Sequence, residues 1–144
     1  MRKLDWIGRT KAGLRRDEGF RAGAYRDTAG LLTIGYGRLI EAGSGLTVAE
    51  ANYLLAGDVA RIMADLDRAL PWWRGLSEPR RGALVNMAYN LGMRELLRFR
   101  LTLQALEVGD WDAAAREMLA SRWASQVGAR AARLAEQVRT DRWA

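Results

Sequence analysis

From Val48 to Leu70 apolar residues return at helical spacing, with Val48, Ala51, Leu54, Leu55, Val59, Ile62, Leu66 and Leu70 on one face. Thr47 and Glu50 stand three apart at the start of this run. That is the spacing of a capping box, in which the hydroxyl serves one orphan amide and the carboxylate serves another. Pro71 ends the run, because proline has no amide to donate and its ring clashes with the preceding turn. One continuous helix of about six turns is expected, and it parts the chain into an N-terminal and a C-terminal region.

Residues 1–18 read as a helix with Leu4, Ile7 and Leu14 among basic positions, its phase disturbed around Gly8 and Gly13. Residues 19–40 change period. Gly19, Gly23, Gly30, Gly35 and Gly37 punctuate them, and Leu32, Ile34 and Tyr36 alternate with Thr33 and Gly35, which predicts a small antiparallel sheet. Glu41 to Gly45 is a loop. After the long helix, "PWWRGLSEP" forms a junction, and Ser77 with Pro79 opens an apolar, central helix through Leu84, Met87, Ala88 and Leu91. Shorter helices are expected around Arg94–Leu97 and Thr102–Glu107. Asp110 caps "WDAAAREML", and Ala129–Val138 is the last amphipathic helix before a tail ending in Trp143. The fold class is α+β and mostly helical: a sheet-bearing lobe over about 1–58, a linking helix over about 47–70 and a helical lobe over about 71–144. At 144 residues these form one domain, and a cleft between lobes is the natural place for a ligand.

Composition narrows the chemistry. With no cysteine and no histidine there are no disulfides, thiolates or imidazole ligands, and any acid–base work falls to carboxylates. The longest uncharged run, Gly82 to Met93, has 12 residues, too few to span a bilayer, which takes about 20. Charges throughout "MRKLDWIGRTKAGLRR" break the apolar core that a secretion signal would need. The net charge of +6 is uneven: +5 over residues 1–38, −3 over 39–71, +4 over 72–100 and zero over 101–144. A polyanionic partner is implied: nucleic acid, an anionic membrane or a charged wall polymer.

Glu18 at a helix end, Asp27 opening a turn and Thr33 on the returning strand can converge on one edge of a cleft. Two carboxyls flanking a bond are what glycoside hydrolysis requires, one protonated to release the leaving oxygen and one ionised to activate water or attack the sugar. Each residue also has an ordinary explanation. Glu18 beside Asp17 suits a solvated helix end, Asp27 suits the first position of a turn with Gly30 at the fourth, and threonine is common in strands.

The stretch "DEGFRAGAYRDTAGLLTIGYGRL" resembles the catalytic segment of the phage-type lysozymes, the muramidase family typified by the T-even phage endolysin (glycoside hydrolase family 24). "PRRGALVNMAYNLG", "GDWDAAAREMLASRW" and "ARAARLAEQVRTDRW" resemble that family's C-terminal lobe, in order. The resemblance implies a lysozyme-like fold that cleaves the β-1,4 bond between N-acetylmuramic acid and N-acetylglucosamine in peptidoglycan, with no metal or organic cofactor. Glu18 would be the general acid, Asp27 the residue that activates water or stabilises the oxocarbenium charge, and Thr33 the holder of that water. Arg130 matches an arginine that pairs with the catalytic glutamate. Leu39, Tyr89, Asn90 and Thr102 match substrate contacts, while Glu117 stands where the type member has an amide. Arg38 replaces a histidine, and a pair between Arg38 and Asp58 is expected. Trp111, Trp123 and Trp143 match packing positions, and Trp72 and Trp73 are expected to be partly exposed. The implied setting is a monomer held in the host bacterial cytoplasm until a holin opens the membrane, with contact to anionic membrane and no specific nucleic acid. The competing class is a basic helical module that binds wall, membrane or nucleic acid without catalysis. A pseudo-enzyme or lytic transglycosylase on a related scaffold is a third.

Overall fold

The computed structural model describes residues 5–41, 43 and 45–144. The expected helical positions before Asp5, including Leu4, and two residues of the Glu41–Gly45 loop lie outside these. The chain divides into two compact units, one ending at Ala51 and the other running from Asn52 to Ala144. This cut comes earlier than the expected lobe boundary, near the first turn of the long helix.

In the N-terminal unit, α1 (Asp5–Glu18) leads into β1 (Arg21–Arg26), β2 (Leu32–Gly35) and β3 (Arg38–Leu39), an antiparallel sheet in sequential order. Thr33 sits on the middle strand, opposite Tyr25 on one side and Leu39 on the other. The expected capping box is present: the Thr47 amide donates to Glu50 Oε2 at 2.7 Å, and the Glu50 amide donates to Thr47 Oγ1 at 3.2 Å. It starts α2 (Val48–Ala69), which stops before Pro71 as expected.

The second unit contains a 3-10 turn (Trp73–Gly75), α3 (Glu78–Leu91), α4 (Met93–Leu96), α5 (Arg100–Val108), α6 (Trp111–Ala120), α7 (Arg122–Val127) and α8 (Ala129–Thr140). Helix α7 is not among the expected elements, although Ser121 caps it by accepting from the Ala124 amide. Asp110 caps α6 as expected, at 3.0 Å from the Ala113 amide. Among the described residues every fully buried apolar side chain lies between Leu66 and Val138, so the packed core belongs to this unit. The face expected to be buried along α2 contributes only from Ile62 onward. Val48, Leu54 and Leu55 remain exposed, because the core is built by α3, α5, α6 and α8 and meets only the last turns of α2. No helix among the described residues is long and apolar enough to cross a membrane.

Chain reversal after α2 is held by one carboxylate. Asp67 accepts from Trp73 Nε1 at 2.7 Å and from Arg74 Nε and a terminal nitrogen at 2.8 and 3.0 Å. The Arg74 guanidinium lies 4.6 Å from the centre of the Trp73 ring. Trp73 is therefore buried, 1% exposed, contrary to the expectation of partial exposure; Trp72 is half-buried. Trp143 is 66% exposed, and its ring lies over Gly82, where a Cβ would come within 2.5 Å and displace it.

Hydrogen bonds from Arg74 and Trp73 draw the Asp67 carboxyl down from 3.8 to about 2. A carboxyl whose pKa falls on folding contributes stability above its unfolded value and loses it as the pH drops through the folded one. Asp67→Asn should therefore lower the thermal unfolding midpoint near neutral pH, and the gap to wild type should close as the pH falls from about 4 to about 2. A gap that persisted at pH 2 would mean that ionisation of Asp67 is not what holds the junction.

Candidate active site

Glu18 is the last residue of α1, and its carboxylate lies directly over the turn between β2 and β3. A Cβ on Gly37 would stand 2.7 Å from Glu18 Oε2 and 3.2 Å from its carboxyl carbon, and Gly37 has φ +74°. Steric space and backbone conformation thus both call for glycine at this position. Glu18 shares a pocket of about 290 Å³ with Lys11, Leu14, Arg15 and Tyr36. Tyr36 in turn packs on Phe20, ring centres 5.5 Å apart. The glutamate is exposed, so an incoming ligand can reach its oxygens.

Asp27 and Thr33 are joined through the backbone of one residue, Leu31. The Asp27 amide donates to the Leu31 carbonyl at 2.9 Å, and the Thr33 hydroxyl donates to the same oxygen at 3.0 Å. In the other direction the Leu31 amide donates to Asp27 Oδ1 at 2.8 Å, and the Ala29 amide donates to it at 2.9 Å. Gly30 closes the turn on the Asp27 carbonyl at 2.9 Å, so the turn-forming role of Asp27 is real. It occupies only one carboxylate oxygen. Among the described residues Oδ2 takes no donor and is left for chemistry. Thr33 is 2% exposed, and with its proton committed to Leu31 its oxygen can only accept from a further partner. Leu31 and Gly37 are absent from the sequence-derived site; the Asp-to-Gly turn spacing is the signal that would have pointed to Leu31.

Leu39 pairs with Thr33 across the sheet and is half-buried. Arg38 donates to the Gly45 carbonyl at 3.1 and 2.7 Å and to Glu50 Oε2 at 3.3 Å. Inside this unit its acidic partner is Glu50. Asp58 belongs to the other unit and pairs there with Arg61. The Thr47 amide and hydroxyl, then Arg38, hold the Glu50 carboxyl below its ordinary value.

In the helical unit Asn90 Oδ1 accepts from Trp123 Nε1 at 2.7 Å, which fixes both side chains, while Tyr89 beside it is exposed. Arg130 on α8 donates to Asn86 Oδ1 at 2.9 Å and to the Asn86 carbonyl at 3.4 Å. Thr102, 2% exposed, lines a cavity of about 510 Å³ together with Glu117 and Trp123. Among the described residues no three acidic side chains converge as a metal site would need.

Gly37→Ala should destabilise the fold by about 1–2 kcal/mol for left-handed backbone alone, plus a collision with Glu18. In a Glu18→Ala background the collision disappears, so the penalty should shrink toward the backbone cost. Denaturant unfolding of the four proteins measures this, and equal penalties in both backgrounds would show that Glu18 does not rest on Gly37.

The phage lysozyme family model matches residues 15–140, which include Glu18, Asp27, Thr33 and the helical lobe through α8. The chain is 32% identical over 148 residues to the pre-baseplate central spike protein Gp5 of Enterobacteria phage T4, covering 84% of this chain but only 26% of that protein. It is 26% identical to probable T4-type lysozyme 1 of Dictyostelium discoideum, over 93% of this chain and 95% of that one. It is 31% identical to an endolysin of Acyrthosiphon pisum secondary endosymbiont phage 1, over 74% and 72%. With a family match across nearly its whole length, the chain belongs to the phage lysozyme family.

Proposed function

We propose that this protein is a muramidase that hydrolyses the β-1,4 bond between N-acetylmuramic acid and N-acetylglucosamine in bacterial peptidoglycan. Family membership supports a glycoside hydrolase acting on the bacterial wall. The observation that carries the assignment of roles is the division of labour within Asp27: Oδ1 is locked into the hairpin by two amides, and Oδ2 is open.

In this reading Glu18, exposed at the end of α1, protonates the glycosidic oxygen. Asp27 Oδ2 takes a proton from water as that water attacks the anomeric carbon, and the Thr33 oxygen accepts the second hydrogen and so orients it. Leu39 in the sheet, and Tyr89, Asn90 and Thr102 in the helical unit, contact the glycan. Attack by water from the face opposite the leaving group inverts the anomeric centre. The biological setting is host lysis by a monomer released to the wall, with its basic surface free to meet anionic lipid.

Wall clearing is the test. Glu18→Gln should lower the rate by about 10²–10⁴, the usual contribution of a positioned acid. Asp27→Asn keeps an oxygen at the turn, so it should fold as wild type and lose activity. Asp27→Ala should also lose about 1–3 kcal/mol of stability, because two amides lose their acceptor. The released muropeptides should carry ordinary reducing ends, initially as the α-anomer by NMR. A 1,6-anhydro end would replace hydrolysis with transglycosylation, and clearing that survives Glu18→Gln would overturn the assignment.

A further inference from the structure

Two peptide groups stand behind Asp27 and Thr33, and each is held from both sides. The Gly30–Leu31 peptide gives its amide to Asp27 Oδ1 at 2.8 Å, while its carbonyl, that of Gly30, accepts from Arg26 Nη1 at 2.8 Å. The Leu31–Leu32 peptide offers its carbonyl to the Thr33 hydroxyl at 3.0 Å, while its amide, that of Leu32, donates to Glu41 Oε2 at 3.1 Å. Both peptides are trans, so carbonyl and amide point to opposite sides of one rigid plane. Whatever grips the outer end fixes the direction of the inner end. Arg26 and Glu41 also grip each other, with Nη1 at 3.3 and 3.4 Å from the two carboxylate oxygens. Their side chains are 63% and 45% exposed, so the ion pair itself adds little to folding stability. A pair that served only to tie residue 41 to the strand would need neither backbone contact.

We propose that Arg26 and Glu41 are positioning residues for the reaction: Arg26 directs the Leu31 amide at Asp27, and Glu41 directs the Leu31 carbonyl at Thr33. This rests on the muramidase reading and names what sets the two groups that handle the attacking water in it. Neither residue touches substrate; each acts through one peptide plane. The signs of the two charges also suit the task. A cation on the Gly30 carbonyl draws electron density across the plane and makes the Leu31 amide a stronger donor to the carboxylate. An anion on the Leu32 amide pushes density onto the Leu31 carbonyl, which then holds the Thr33 proton more firmly. With that proton drawn away, the Thr33 oxygen becomes a better acceptor for a hydrogen of the water. The opposite arrangement of charges would weaken both inner contacts.

A charge swap in the full chain tests this. Arg26→Glu combined with Glu41→Arg restores the ion pair but not the backbone contacts, because a carboxylate cannot donate to the Gly30 carbonyl and a guanidinium cannot accept from the Leu32 amide. The swapped protein should unfold within about 3 °C of wild type. In wall clearing over a series of wall concentrations it should lose kcat by about 10- to 100-fold, with KM changed by less than about twofold. Arg26→Lys, which keeps a cationic donor, should retain more of kcat than Arg26→Ala. A swap that keeps wild-type kcat overturns the proposal, and so does a loss carried by KM or matched by a fall in the unfolding midpoint. A second measurement does not depend on catalysis: amide hydrogen exchange followed by NMR. The Leu31 amide, which Arg26 does not touch, should exchange about fivefold faster in Arg26→Ala, the value of about one neutral hydrogen bond. Unchanged exchange there sinks the proposal whatever the rates do. If wild type clears no wall while the Leu31 amide still loosens in Arg26→Ala, the muramidase reading fails and the coupling of Arg26 to Asp27 stands.

Discussion

The N-terminal unit depends on the backbone of Leu31. Its carbonyl accepts from the Asp27 amide and the Thr33 hydroxyl, and its amide donates to Asp27 Oδ1. Among the described residues the buried apolar side chains all lie in the other unit, so hydrophobic burial does little to hold this one rigid. Directional hydrogen bonds take over that task. The two neutral contacts are worth only about 1 kcal/mol each in net stability, and the one to the carboxylate about 1.5–3 kcal/mol. Their effect is geometric: the side chains of Asp27 and Thr33, on opposite limbs of a hairpin, are tied to the amide and the carbonyl of the same residue. The turn thus fixes the Asp27 carboxylate and the Thr33 hydroxyl, and Gly37 leaves room above the backbone for the Glu18 carboxylate.

The helical unit solves a different problem with different means. It buries Leu66, Trp73, Leu84, Met87, Leu106, Met118 and Val138, each worth about 1.5–3 kcal/mol when removed from water. A core of that kind tolerates irregularity at its surface, and charged groups can be placed where they do not help folding. Arg100 and Arg122 at positive helix ends are such placements, and so is Glu117, left without a partner among the described residues. The two units thus hold their side chains in place by different means.

Patterns that act over a few residues are readable from sequence. The Thr47–Glu50 box, the Asp110 cap, the stop at Pro71 and the Asp27–Gly30 turn all rest on local chemistry, and all are present. Helix α7 escapes such reading because six residues show too little periodicity, leaving Ser121 as its single signal. The apolar face of α2 is only partly used, since periodicity shows which residues could be buried and not how far the core extends. Trp73 departs from expectation for a related reason: its burial depends on Asp67 and Arg74, which a run of tryptophan, arginine and glycine does not announce. The site residues are legible as residue types, but Leu31 acts only through its backbone, so the Asp27–Gly30 turn spacing rather than its own side chain is what points to it.

The absence of histidine shapes the electrostatics of the whole chain. Where an imidazole would change charge between about pH 5 and 8, Arg38 keeps its charge throughout. Its partner Glu50 has its carboxyl drawn below the ordinary range by Thr47 and Arg38. The contribution of that pair is complete above the ordinary carboxylate pKa and is lost only as the pH falls through the lowered one. The loop bearing Gly45 and the first turn of α2 are thus joined by a link that does not titrate near neutrality. With no cysteine either, the chain has no side chain whose unperturbed pKa lies in that interval.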